Sequence, residues 1–174
     1  MNIRTAIWDD AAAMSVMLQR LVALGKRSAK ADVEYVQHNY VANPVGIRCS
    51  LAEDEGGRLL GFQSLIRATE GNRYGTPIGW GIIGTHVSPD AARLGVGRRL
   101  FNVTRQAAID AGVTKIEALI GLDNAAAQAF YESAPSTGRS AFWAQGTSIG
   151  HQHDNRPRSH ERIQFDDSVR EFYG

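Results

Sequence analysis

The chain has 174 residues, 43% of them apolar and 21% charged, which suits one folded domain with its own core and is too apolar for a disordered segment. Nineteen Lys and Arg against eighteen Asp and Glu leave a net charge of +1, without the strong basic excess of a non-specific nucleic-acid binder. A single cysteine, Cys49, excludes an internal disulfide, no apolar run approaches the ~18–20 residues that span a bilayer, and the first residues show no apolar leader. The expectation is one cytoplasmic domain over residues 1–174, with no membrane segment and no nucleic-acid partner.

Taken in chain order, residues 3–7 read as a strand, and Asp9-Asp10 offer an N-cap. Met14, Met17, Leu18, Leu21 and Leu24 then recur at helical spacing up to Gly25. A second helix is predicted over 32–41, before Asn43-Pro44. Residues 47–53 and 58–68 read as two strands joined through Asp54-Glu55-Gly56-Gly57, a hairpin. A polar loop follows, then a strand over 80–87 that ends at Ser88-Pro89-Asp90. Leu100, Val103, Thr104, Ala107, Ala108 and Ala111 line one face of a helix that stops at Gly112. Residues 115–120 read as a strand and 124–133 as a short helix before Pro135. Weak strand signals remain at 140–144 and 162–165. The order β-α-α-β-β-β-α-β-α-(β-β) describes a mixed α/β domain.

The densest chemistry lies between Val87 and Leu100. A strand passes into a helix through a turn containing Gly95 and Gly97, with Arg93, Arg98, Arg99 and Arg105 close by and no acidic residue between Ala91 and Ile109. Backbone N–H groups of such a turn converge on an anion, and the helix N-terminus adds about half a positive charge. The spacing fits a phosphate or pyrophosphate site and equally a glycine turn followed by a solvated basic face. A P-loop is excluded, because Gly25-Lys26 is followed by Arg27 and lacks the upstream glycine. The dinucleotide fingerprint fails as well: Leu100 stands where a third glycine is needed, and the glycines do not directly follow the strand.

The run Val87-x-Pro89 to Gly95-Val96-Gly97-Arg98-Arg99-Leu100 resembles the acyl-CoA signature of the GNAT superfamily of N-acyltransferases. Asn124-Ala125-Ala126-Ala127-Gln128-Ala129-Phe130-Tyr131-Glu132 resembles the second CoA motif, and Leu51-Ala52-Glu53 to Leu60-Gly61-Phe62 the family's hairpin. Order and spacing agree from Ile3 to about Glu132, roughly three quarters of the chain, and residues 133–174 match no motif.

The resemblance implies a GNAT-like mixed sheet, flanked by helices, whose central strands 80–87 and 115–120 splay apart to admit acetyl-CoA as co-substrate, with no metal. It implies that Leu94, Gly95, Val96, Gly97, Arg98 and Arg99 cradle the pyrophosphate, with Arg93 beside them. His86 and Val87 would pair with the pantetheine amides, and Asn124 would bind the pantetheine arm or cap the last helix. Tyr131 stands where the family places the acid that protonates the departing thiolate, although the same position suits an ordinary core aromatic.

Two positions depart from the family pattern: Ala92 replaces the Gln or Arg three residues before Gly95, and Ser133-Ala134-Pro135-Ser136 replaces a Gly-Phe. The family's frequent Glu, six residues before Val87, is Gly81 here. His86 is the nearest titratable group on that strand, and its ordinary pKa of ~6.5 suits a general base as well as a structural histidine. Glu34 and His38 on the second helix are weaker candidates, and Cys49 reads as a small buried strand residue. His151, His153, Asp154 and His160 have a zinc-like spacing, but Arg156 and Arg158 between them would repel a cation, so no metal is expected.

The implied activity is direct transfer of the acyl group of acetyl-CoA, or another acyl-CoA, to a small-molecule or peptide amine. The alternative is a CoA-binding module without catalysis, with a recognition or regulatory role. A homodimer stays open, and the amine acceptor is not readable from the motifs.

Overall fold

A computed structural model describes residues 1–121, 144–146 and 160–166 of the chain. Besides short 3-10 and π turns, seven strands and three α-helices lie among them. They are β1 (Asn2–Thr5), α1 (Ala11–Ala23), α2 (Val33–Val36), β2 (Gly46–Glu53), β3 (Leu59–Arg67), β4 (Gly81–Val87), α3 (Val96–Asp110), β5 (Lys115–Gly121), β6 (Ala144–Gly146) and β7 (His160–Asp166). The strands form one sheet in the order β1-β2-β3-β4-β5-β7-β6, antiparallel throughout except for the parallel pair β4–β5. The expected short helix over 124–133 lies outside the described residues. The two weak C-terminal strand signals correspond to β6 and β7, which start and end within a few residues of the expected positions.

Each helix forms where its sequence gives it one apolar stripe. In α1, Met14, Leu18 and Leu21 recur at i, i+4 and i+7 and are buried against Leu51 and Phe62 of the hairpin. The Lys26 N–H returns to the Leu21 carbonyl at 2.9 Å and closes the helix. Ahead of it, Asp10 accepts the Ile7 N–H at 2.7 Å, and its carboxylate is gripped by Arg4, which also binds Glu53 of β2. This ion-paired knot ties β1, the start of α1 and β2 together.

On the opposite face of the sheet, α3 buries Phe101 and Ala108 against Leu65, Ile83 and Ile116, and Val96 and Leu100 against Ala52 and Leu60. Burying one such leucine contributes roughly 1.5–3 kcal/mol. The sheet therefore separates two helical layers, α1–α2 on one side and α3 on the other. Cys49 is buried in the α1 layer, and burial pushes its thiol up to about 12, in keeping with a packing role.

The second helix departs from the expected regular form. Asp32 caps it by accepting the Tyr35 N–H at 2.8 Å, but after one α turn it widens into a π turn over Gln37–Val41. The Ala42 N–H reaches back five residues to the Gln37 carbonyl, at 2.7 Å.

Candidate active site

The β4–β5 ladder joins Gly81, Ile82 and Ile83 to Ile116, Glu117 and Ala118, and it ends there. Beyond that point β4 continues against β3 as far as Val87, while β5 continues against β7 as far as Gly121. The two central strands thus share three residue pairs and part company, leaving a slot beside residues 84–87. The expected splay between these strands is present.

At the end of β4 the chain makes a short helical turn over Pro89–Ala91 and swings into α3. Arg93 has φ +64° and Gly95 φ +75°, so two left-handed residues fold the backbone into a tight concave turn. Gly95 is the N-cap of α3 and supplies no capping side chain. The Arg99 N–H is bonded to the Gly95 carbonyl at 3.1 Å, whereas the amides of the preceding turn have no intrahelical acceptor. Residues 92–95 are exposed, as are Arg98 and Arg99, while Val96 is buried and anchors the turn to the core. Arg99 reaches the Met1 carbonyl at 3.3 Å. The structure therefore gathers Arg93, Leu94, Gly95, Val96, Gly97, Arg98 and Arg99 around one set of open N–H donors on a basic helix start, on the α3 side of the slot.

His86 and Val87 lie at the diverging end of β4 and point to opposite faces. Val87 packs with Val96 and Leu100 beneath the glycine turn. The His86 ring lies on the α1–α2 side, 4.8 Å from the Phe62 ring and 5.6 Å from that of Tyr40, centroid to centroid. Its Nε2 is 3.2 Å from the Tyr40 hydroxyl and 3.5 Å from Nη1 of Arg27. Two donors facing Nε2 assign it as the acceptor and put the ring proton on Nδ1. The residue is partly exposed, and its ring packs between those of Phe62 and Tyr40. Desolvation, followed by the nearby Arg27 charge, lowers its pKa to about 3. His86 is therefore neutral across the physiological range: a fixed acceptor and a poor proton acceptor from an ammonium.

Gly81, at the family's usual glutamate position, faces the α3 core. A Cβ there would meet the Leu65 side chain at 2.9 Å and that of Val113 at 3.2 Å, so any longer side chain would force these core residues to shift. Glu34 and His38 are exposed on the surface of the second helix. Asn124 and Tyr131 lie outside the described residues, as do His151, His153 and Asp154. Among the described residues no cluster of three or more His, Cys, Asp or Glu could hold a metal ion, and no helix is long and apolar enough to cross a membrane.

Several neighbours of the site carry no motif signal. Tyr40 reaches His86 from within the π turn, and Arg27 reaches both from the loop after α1, 59 residues before His86. Glu117, fully buried on β5 beside the last rungs of the β4–β5 ladder, accepts a hydrogen bond from Thr76 of the β3–β4 loop. Only a contact between distant segments distinguishes these residues from ordinary polar positions.

Comparison with known proteins agrees with this geometry. The acetyltransferase (GNAT) family profile matches residues 17–134. No curated protein sequence matches the chain. Among solved structures, yncA of Salmonella typhimurium, provisionally classed as an acetyltransferase and seen with its cofactor acetyl-CoA, superposes with a TM-score of 0.71 at 22% identity, covering 97% of this chain and 94% of the other. The ribosomal-protein-alanine N-acetyltransferase of Brucella melitensis gives 0.72 at 22% identity, over 95% and 99%. A GCN5-related N-acetyltransferase of Kribbella flavida gives 0.72 at 18% identity, over 95% and 96%. With a family match across two thirds of its length, a sheet whose ladder opens between β4 and β5, and a left-handed glycine turn at the start of α3, the chain belongs to the GNAT family of acetyltransferases.

Proposed function

We propose that the protein is an acetyl-CoA-dependent N-acetyltransferase acting on a small-molecule or peptide amine in the cytoplasm. The observation that carries this reading is the slot between β4 and β5 with the open glycine turn at its rim. The turn residues Leu94 to Arg99, with Arg93, hold the pyrophosphate through backbone N–H groups and nearby guanidinium charge. The edge of β4 at His86 and Val87 faces the pantetheine arm, and Asn124 serves the same arm or caps the following helix.

In the reaction the amine nitrogen attacks the thioester carbonyl. The C–N bond forms, the C–S bond breaks, the nitrogen loses a proton and the sulfur gains one. Tyr131 is the proposed donor to the sulfur, because a phenol placed there helps most as negative charge develops. His86 is the candidate general base on β4. With its proton affinity so low, it is better suited to hold Tyr40 and Arg27 in place at the acceptor side of the slot.

The test is thermal denaturation with and without acetyl-CoA, followed by free-thiol release with a panel of amines. A native-state ligand at a hundredfold excess over Kd stabilises by about 2.7 kcal/mol, a readable rise in Tm. No shift at saturating acetyl-CoA would overturn the reading. A shift without acetyl transfer to any amine would instead support a CoA-binding module.

A further inference from the structure

Arg27 lies in the loop between α1 and α2 and is drawn over the α1–α2 side of the slot. Its Nη2 donates to the Lys30 carbonyl and to the Tyr40 hydroxyl, both at 3.0 Å, and the Tyr40 hydroxyl in turn faces Nε2 of His86. The rings of Tyr35 and Tyr40 each stand 5.9 Å from its Cζ. Its Nε is buried and has no acceptor among the described residues. The ion pairs among those residues use Arg4, Arg20 and Arg58, and none includes Arg27.

The groups around this guanidinium do not balance its charge. Burial pushes the Tyr40 phenol up to about 12, so it stays neutral, and the His86 imidazole is neutral as well. Asp32 uses its carboxylate to cap the Tyr35 N–H, and Glu34 is exposed. A second cation strengthens the imbalance. Arg73, on the β3–β4 loop, hydrogen-bonds the Tyr74 hydroxyl and lies within electrostatic range of Tyr35. Arg27 and Arg73 thus approach the Tyr35 ring from two different loops, and among the described residues neither is paired with a carboxylate. A partly desolvated guanidinium with an idle N–H is costly to leave alone, and its planar fork matches a carboxylate in geometry and charge.

The sheet places this cluster on the face opposite the glycine turn of α3, with the slot connecting the two. Resting on the acetyltransferase reading above, we infer that Arg27 recognises a carboxylate on the acceptor, so that the substrate is a small molecule bearing both a primary amine and a carboxylate. A polyamine would bring positive charge toward two arginines and is disfavoured on the same grounds.

The experiment compares matched acceptors: L-phenylalanine, L-methionine and L-glutamate, each with its α-carboxamide, together with phenethylamine, glycyl-phenylalanine and spermidine. Thiol release from acetyl-CoA gives kcat and KM, and thermal shift of the protein–CoA complex with the same compounds gives binding without turnover. The inference expects at least one acid to exceed its carboxamide by roughly tenfold or more in kcat/KM or in binding. Arg27→Gln should erase that ratio, mainly through KM, and Arg27→Lys should restore part of it. Both variants should keep the acetyl-CoA shift, which shows that they fold. The dipeptide arm separates a free amino acid from a peptide terminus. Equal use of acids and carboxamides, a preference for spermidine, binding of none of the panel, or an acid/amide ratio unmoved by Arg27→Gln would each overturn the inference while leaving acetyl-CoA binding intact. Loss of the acetyl-CoA shift in the unmutated protein would instead remove the reading on which it rests.

Discussion

On the proposed reading, the two faces of the sheet recognise their ligands by different means. On the α3 side the donors are main-chain amides, set out by Arg93 and Gly95 in left-handed conformations and by the uncapped start of a helix. On the α1–α2 side the donors and acceptors are side chains, brought from the loop after α1, the π turn and the end of β4. A main-chain site tolerates change in most side chains provided the turn survives. A side-chain site changes its chemistry with any one of them. One face is suited to an invariant ligand and the other to a variable one.

The sharpest way to break this contrast is Gly97→Glu. A side chain and a negative charge in the first turn of α3 should abolish the acetyl-CoA thermal shift and all thiol release, without altering the opposite face. An undiminished shift would mean that the pyrophosphate lies elsewhere. Next in size is Tyr131→Phe, which keeps the ring and removes only the hydroxyl. We expect kcat to fall by about ten- to a thousandfold, with the acetyl-CoA shift little changed. Full activity would remove Tyr131 from the chemistry.

The smallest effect concerns pH and sharpens the side-chain face. His86 has an ordinary pKa of 6.5 when unfolded and about 3 when folded, so the unfolded chain binds the extra proton between these values. Stability should decline as pH falls from about 6.5 towards 3, and His86→Gln should flatten that decline, read as Tm against pH. Asp10 adds to the loss at lower pH. Its hydrogen bonds to Arg4 hold its carboxyl below the usual 3.8, and that stabilisation fades as the carboxyl is protonated. Between pH 6 and 8 the same variant should leave the shape of the kcat profile unchanged. A limb near pH 6.5 that disappears in His86→Gln would restore His86 as the base.

Legibility in the sequence followed the same division. Met14, Leu18 and Leu21 announce α1 by spacing alone, and Gly95 with Gly97 announces the turn, because each signal is complete within a few neighbouring residues. The hairpin was readable from Asp54, whose carboxylate accepts the Gly56 and Arg58 N–H groups. Arg27 and Tyr40 were not readable. One sits in a polar loop and the other on a half-buried helix, and their roles exist only through contact with a strand many residues later. The histidine itself stands out on its strand, but its proton affinity depends on Phe62, Tyr40 and Arg27 surrounding it, which no local pattern encodes.

The π turn at Gln37–Val41 makes the aim of Tyr40 a matter of chain length. Removing one residue from an α-helix rotates everything after it by about 100°. A single deletion in this turn would carry the phenol away from His86 while leaving the buried Val36 and its packing untouched. On the proposed reading, a change in the length of this turn would alter the acceptor side of the site without any substitution of Tyr40 itself.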